Sequence, residues 1–176
     1  TWGSGAWGIT SAGETLRIWN QTNFGQNLVF GPRGGAMYYW DATTGITTRG
    51  VLVSSLSGAN SVPTIQNVLF VADVSRFVFA MGTIDYASSV YDPMLIRWSD
   101  QESVTDWAPT ATNQAGSLRL SHGSKIVTAM QSRQEVLVWT DSTFYSLQYL
   151  GSPEVWGSQL LGDNLSIMGP NAVALA

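Results

Sequence analysis

Apolar residues in this chain come in short runs bounded by turn residues, and no segment keeps helical spacing for ten residues without Gly or Pro. Leu16, Ile18 and Phe24 flank Trp19, and Leu28-Val29-Phe30 follows. The cluster Gly31-Pro32-Arg33-Gly34-Gly35 then predicts a turn, because Pro presets φ and Gly tolerates positive φ. Met37 to Trp40 reads as the returning strand of a hairpin, with Asp41 to Gly45 as the next turn. Val51-Leu52-Val53 precedes a Ser/Gly/Asn-rich connector. Val68 to Val71 and Phe77 to Ala80 are apolar throughout, the mark of strands covered on both faces, with a turn at Asp73-Val74-Ser75. Thr83 to Pro93 reads as a loop, Met94 to Trp98 as a strand, and Ser117 to Leu120 as a short strand. Ile126–Met130, Glu135–Trp139 and Phe144–Tyr149 then form the clearest antiparallel meander. Leu160-Leu161, Ile167-Met168 and Val173-Ala174-Leu175 read as the opening of a further, incomplete unit.

One figure recurs: two or three apolar residues, then Trp, then Asp one or two positions on. It appears as Met37-Tyr38-Tyr39-Trp40-Asp41, Leu95-Ile96-Arg97-Trp98-Ser99-Asp100 and Val136-Leu137-Val138-Trp139-Thr140-Asp141. The three Trp are spaced by 58 and 41 residues, near the length of a four-stranded propeller blade. The fold class predicted is all-β with very little helix: a β-propeller or partial propeller of meander blades, with a β-sandwich as the alternative. Residues 1–176 form one such region, with repeat units at 14–57, 62–112, 113–151 and an incomplete 152–176. The structural repeat positions are Trp40, Asp41, Trp98, Asp100, Trp139 and Asp141, together with Gly34, Gly35 and Trp107.

Composition sharpens this picture. Hydrophobic residues make up 44% of the chain and charged residues 11%, well under the usual quarter, so part of the surface is expected to be covered by other protein. Net charge is −4, with one Lys and scattered Arg. That argues against a DNA-gripping groove, which needs clustered cations to displace counterions. There is no Cys, so disulfides and thiolate metal sites are excluded. No apolar run reaches membrane-span length and no signal peptide opens the chain. Thr1 at the start and an apolar stretch at the end predict a piece of a longer polypeptide.

Candidates for chemistry are few. Trp2-Gly3-Ser4-Gly5-Ala6-Trp7-Gly8 reads as a linker whose Trp dock on a neighbouring surface. Gly34-Gly35 is followed by no helix and no Lys-Ser/Thr pair, so it is not a phosphate loop. His122, the only His, sits in a Ser-His-Gly turn with no nucleophile elbow in the chain. Asp100 and Glu102, with Asp106 beyond, could pair for glycoside hydrolysis, yet their spacing within a turn reads as turn chemistry. No calcium-loop pattern is present, and Asn20 and Asn164 head chance-level glycosylation sequons. No catalytic residue, metal or cofactor is expected.

The ordered set of motifs carries a resemblance. The Trp2–Gly8 repeat leads into Leu16-Arg17-Ile18-Trp19, Asn23-Phe24-Gly25-Gln26-Asn27-Leu28, Pro32-Arg33-Gly34-Gly35 and Tyr38-Tyr39-Trp40-Asp41. Ile96-Arg97-Trp98-Ser99-Asp100, Asp106-Trp107 and Leu137-Val138-Trp139-Thr140-Asp141 follow. Over nearly its whole length the chain resembles tail proteins of short-tailed bacteriophages, of the packaged-DNA stabilisation, tail nozzle or tail tubular type. The resemblance implies a non-enzymatic virion component on a β-propeller, made in the host bacterial cytoplasm. It implies a ring of copies, usually a hexamer, below the portal and adaptor, with fibre proteins as further partners. Genomic DNA would pass through the lumen without specific binding. Family members are much longer than this chain. Two other readings compete: a glycan-binding or glycan-cleaving propeller, suggested by eight Trp and the Asp100–Glu102 pair, and a protein-interaction scaffold.

Overall fold

A computed structural model of the chain describes residues 17–72 and 75–174. The Trp-Gly segment, Leu16, part of the Asp73-Val74-Ser75 turn and Leu175 lie outside those residues. Twelve strands follow in order: β1 Trp19–Phe24, β2 Asn27–Pro32, β3 Tyr38–Trp40, β4 Val51–Leu52, β5 Val68–Val71 and β6 Val78–Ile84. Then come β7 Tyr91–Trp98, β8 Gly116–Arg119, β9 Ile126–Gln131, β10 Glu135–Thr140, β11 Thr143–Gly151 and β12 Val155–Asp163. Helix among the described residues is limited to single 3-10 turns at Ala42–Thr44 and Val53–Ser55.

The architecture is all-β. The strands form three four-stranded antiparallel sheets, β1-β2-β3-β4, β5-β6-β7-β8 and β9-β10-β11-β12, each a meander of consecutive strands. No strand leaves its own run of four to join another sheet. Between sheets, β5 meets β1 and β2 on one side and β9 on the other, so the first strands adjoin. This arrangement is compatible with consecutive blades of a partial propeller and, as layers, with a sandwich.

Two cores result, one on each side of the middle sheet. Successive side chains in a strand face opposite ways. Val78 and Ala80 of β6 therefore enter a cluster with Val29, Met37, Val53, Leu69, Val71 and Trp107. Phe79 and Met81 enter the second cluster with Ile96, Trp98, Ile126, Val138, Leu147 and Trp156. That is why β6 is apolar along its length and buried from Val78 to Thr83. The second core is rich in aromatic pairs: Phe79 packs edge-on to Trp156 at 5.0 Å and lies 6.3 Å from Trp98. The end sheets differ, since β1 alternates between exposed and half-buried and β12 is exposed from Ser158 to Leu161.

Strand pairing departs from the expected units in two places. Spacing puts Ser117 to Arg119 in the unit 113–151, whereas β8 pairs with β7 and closes the middle sheet. The loop between them folds back because the Trp98 indole donates to the Gln114 carbonyl at 2.8 Å and the Asp100 carboxylate accepts from the Gln114 N–H at 2.8 Å. Leu160-Leu161 do not open a further unit: β12 pairs with β11 as the fourth strand of the last sheet. Gly151, at φ 78, ends β11 just before the turn at 152–154 that sends the chain back along it. Ile167, Met168 and Val173 lie outside any strand. The loop expected at Thr83 to Pro93 shrinks to the residues between Ile84 and Tyr91. The register shift between Met81 and Thr83 lets Pro93, which has no N–H, lie within β7.

Candidate functional site

The Pro32-Arg33-Gly34-Gly35 turn is where all three sheets meet. Gly34 adopts φ 75 and donates its N–H to the Gln66 carbonyl at 2.6 Å, and Gly35 bridges Gln66. A Cβ at Gly35 would lie 2.8 Å from Pro32 Cγ, so the turn is closed too tightly for a side chain. Arg33 reaches outward from it. One of its terminal nitrogens donates to the Asn67 carbonyl at 3.1 Å, at the start of the middle sheet, and the other to the Val127 carbonyl of β9 at 2.8 Å. Gln66, fully buried, donates to the Pro32 carbonyl at 3.0 Å and accepts from Asn20 of β1 at 3.1 Å. Burial pulls the Arg33 pKa below its ordinary value, with nearby Tyr91 opposing. The cation is satisfied by main-chain carbonyls, which fix direction as well as charge.

A second polar centre lies behind Trp98. Arg97 is 1% exposed although it carries a charge. Its guanidinium donates to the carbonyls of Ser61 at 2.8 Å, Trp107 at 2.9 Å and Ile84 at 3.3 Å, and lies 5.9 Å from the Tyr86 ring centre. Desolvation lowers its pKa, with Asp85 and Tyr86 acting the other way. Trp107 is fully buried, and its indole donates to the Val104 carbonyl at 2.8 Å. The Asn60–Asp106 bridge pins this loop to the chain that precedes β5. Arg97 thus ties the loops on both sides of the middle sheet to one strand. A single Arg inside Leu95-Ile96-Arg97-Trp98 is the only sequence signal for it.

The recurring Trp-Asp figure does not mark three equivalent places. Trp40 and Trp98 end the third strand of their sheets, β3 and β7. Trp139 is the penultimate residue of a second strand, β10, which lies between β9 and β11. Trp98 is buried, whereas Trp40 and Trp139 are half-buried. Trp139 stacks on its cross-strand partner Phe144 at 4.7 Å. The Asp residues share one role. Asp41 accepts from the Thr43 N–H at 2.8 Å and hydroxyl at 2.7 Å, and these bonds hold its carboxyl below the ordinary range. Asp141 accepts a short hydrogen bond from the Ser124 hydroxyl and others from the N–H groups of Ser124 and Lys125, with the same consequence. Each caps a turn.

Of the remaining acidic candidates, Asp106 is engaged through its carboxylate and Glu102 through its backbone. Asp106 accepts from the Asn113 amide at 2.9 Å, and the Glu102 N–H donates to the Arg76 carbonyl at 3.1 Å. His122 lies with its Nδ1 2.8 Å from the Ser121 hydroxyl and 3.3 Å from the Tyr145 hydroxyl, with no carboxylate among its described partners. Gly34 and Gly35 join the three-sheet junction, and Trp98, Asp100 and Trp107 share the β7–β8 loop system. Trp40–Asp41 stands apart from both, whereas Asp141 lines a hollow with Arg33, Asn67 and Val127 of the three-sheet junction. Among the described residues no group of three His, Cys, Asp or Glu is placed to hold a metal ion. No protein-family model matches the chain, and no curated protein matches it.

Proposed function

We propose that this chain is a structural module of a short-tailed phage tail, of the nozzle or tail tubular type. In this reading it is a blade region of a β-propeller that helps extend the channel below portal and adaptor, retains packaged DNA and guides its ejection. It acts in the virion as one of several copies in a ring, a hexamer by the family resemblance, and catalyses nothing. Beside the ordered motifs, one observation supports it: the placing of exposed large apolar residues. They crowd the two end sheets, with Trp19, Val51 and Leu52 on the first and Tyr149, Leu150, Leu160 and Leu161 on the last. Among the strands of the middle sheet only Tyr91, the first residue of β7, is so exposed, with Tyr86 and Val90 exposed in the turn between β6 and β7. Apolar surface at both ends of a row suits head-to-tail association, in which one copy's last face meets the next copy's first.

The electrostatics suit a channel wall past which DNA slides. The chain carries a net charge of −4, and its inner cations Arg33 and Arg97 are spent on main-chain carbonyls. No described helix is long and apolar enough to cross a membrane. Electron microscopy of the full-length protein, purified and in virions, tests the proposal. A ring located between portal and fibres is the expected result. A monomer that never forms rings or joins a tail would overturn it.

A further inference from the structure

A cleft between the middle and last sheets has the chemistry of a ligand site, and nothing above uses it. It encloses about 280 Å³ beside the β5–β6 turn, with Trp156 and Tyr149 as its aromatic wall and Gln131, Gln134, Arg133 and Glu135 as its polar one. A second hollow of about 520 Å³ continues it past Ser132 and Gln148, sharing Arg133, Gln134, Glu135 and Tyr149. Together they form a groove rather than a closed pit.

We propose that this groove binds a neutral oligosaccharide, an inference independent of the phage-tail reading. Three observations carry it. The first is the aromatic wall. Tyr149 is 42% exposed while its ring is braced against Trp156 at 5.4 Å and Phe77 at 5.8 Å. Its hydroxyl lies 3.2 Å from Gln114, so the ring is held from both ends. A fixed, accessible aromatic face suits the C–H face of a pyranose ring.

The second is the polar rim, which is built mainly from side-chain amides and hydroxyls. Such groups both donate and accept, as sugar hydroxyls do. A polyproline segment presents only acceptors along its backbone and needs an aromatic-lined groove, whereas a single exposed ring is present here. The two charges, Arg133 and Glu135, are of opposite sign, which favours an uncharged ligand, and Glu135 accepts from the Ser146 hydroxyl.

The third is Trp156. It is 6% exposed, yet its indole N–H has no hydrogen-bond partner in the protein. A buried donor left unpaired is rare and costly in a folded protein. Trp156 also lines the cleft, so the unpaired donor belongs to a ring of its wall.

The test is saturation-transfer NMR on the chain with maltoheptaose, cellohexaose and dextran oligomers at about 5 mM, where weak sugar binding is readable. Decaproline is titrated in parallel. At least one oligosaccharide should receive saturation. Tyr149→Ala should weaken its binding about tenfold, the loss of one aromatic contact. Gln134→Ala, in an exposed turn where folding is not at stake, should weaken it measurably, whereas Gln21→Ala on β1 should leave it unchanged. Silence from every oligosaccharide overturns the proposal. So does binding undiminished by both cleft variants, or decaproline binding in place of the sugars.

Discussion

The ends of β7 and β10 spell nearly the same words, Ile96-Arg97-Trp98-Ser99-Asp100 and Val138-Trp139-Thr140-Asp141, and the chain uses them differently. Both put a Trp near a strand end and an Asp in the turn behind it. At β7 the strand belongs to the middle sheet, so Trp98 is pressed into the aromatic core with its indole bonded to Gln114. At β10 the strand lies in an end sheet, and Trp139 is a half-buried partner for Phe144. The difference teaches that a motif of this kind encodes a strand end and a capped turn. How much of the Trp is buried depends on how many sheets lie against it.

The largest expected effect is the one that separates the two Trp. Trp98→Ala should cost about 3–5 kcal/mol, the range for removing a buried aromatic side chain. Trp139→Ala should cost about 1 kcal/mol or less, the worth of one cross-strand pair. Urea unfolding of both variants decides, and equal losses would break the distinction.

A smaller effect probes how tightly Trp98 is held. A Cβ on Gly116, its register partner on β8, would stand 2.6 Å from the Trp98 ring. Gly116→Ala should therefore destabilise by about 1–3 kcal/mol through overpacking. A neutral result would show that the ring has room to move and that the β7–β8 pairing is loose.

The smallest effect belongs to the turn at β10. Hydrogen bonds from Ser124 hold the Asp141 carboxyl below its ordinary pKa. A depressed folded-state pKa contributes stability above the unfolded value and loses it as pH falls through the folded one. The melting temperature of Asp141→Asn should thus fall less than that of the parent as pH is lowered across the carboxylate range. Parallel curves would mean that the Ser124 bonds do not persist in solution.

Much of the local structure was legible. The meander from Ile126 to Tyr149 shows because turn residues interrupt it at Ser132-Arg133-Gln134 and Asp141-Ser142, while its strands are apolar and β-branched. The double burial of β5 and β6 shows because both are apolar without alternation. The grouping of β8 and β12 was not legible. Ser117 to Arg119 is a short strand after a long loop, and only the bonds of Gln114 to Trp98 and Asp100 assign it to β7. The candidate residues were located as turn caps, but their supposed equivalence rested on spacing, and Trp139 lies one strand earlier in its sheet than Trp40 and Trp98. Nothing in the sequence marks Arg33, Gln66 and Arg97 as junction residues. Each bonds to main-chain carbonyls far along the chain, and a carbonyl carries no side-chain identity to read.

By itself the sequence determined that the chain is all-β, where most strands begin and end, and which Asp residues close turns. Those properties follow from side-chain alternation and the φ preferences of Gly and Pro, and, at Asp41, from bonds to Thr43 two residues on. Tertiary structure alone decided that β8 joins β7, that β12 closes the last sheet, and which faces of the end sheets stay open. A strand's burial is set by what packs over it, and the same kind of apolar pair is enclosed on both sides in β6 and exposed as Leu160-Leu161 in β12. The cleft at Trp156 is likewise a product of packing, because its walls come from separate turns and strands that meet only when the second and third sheets stack.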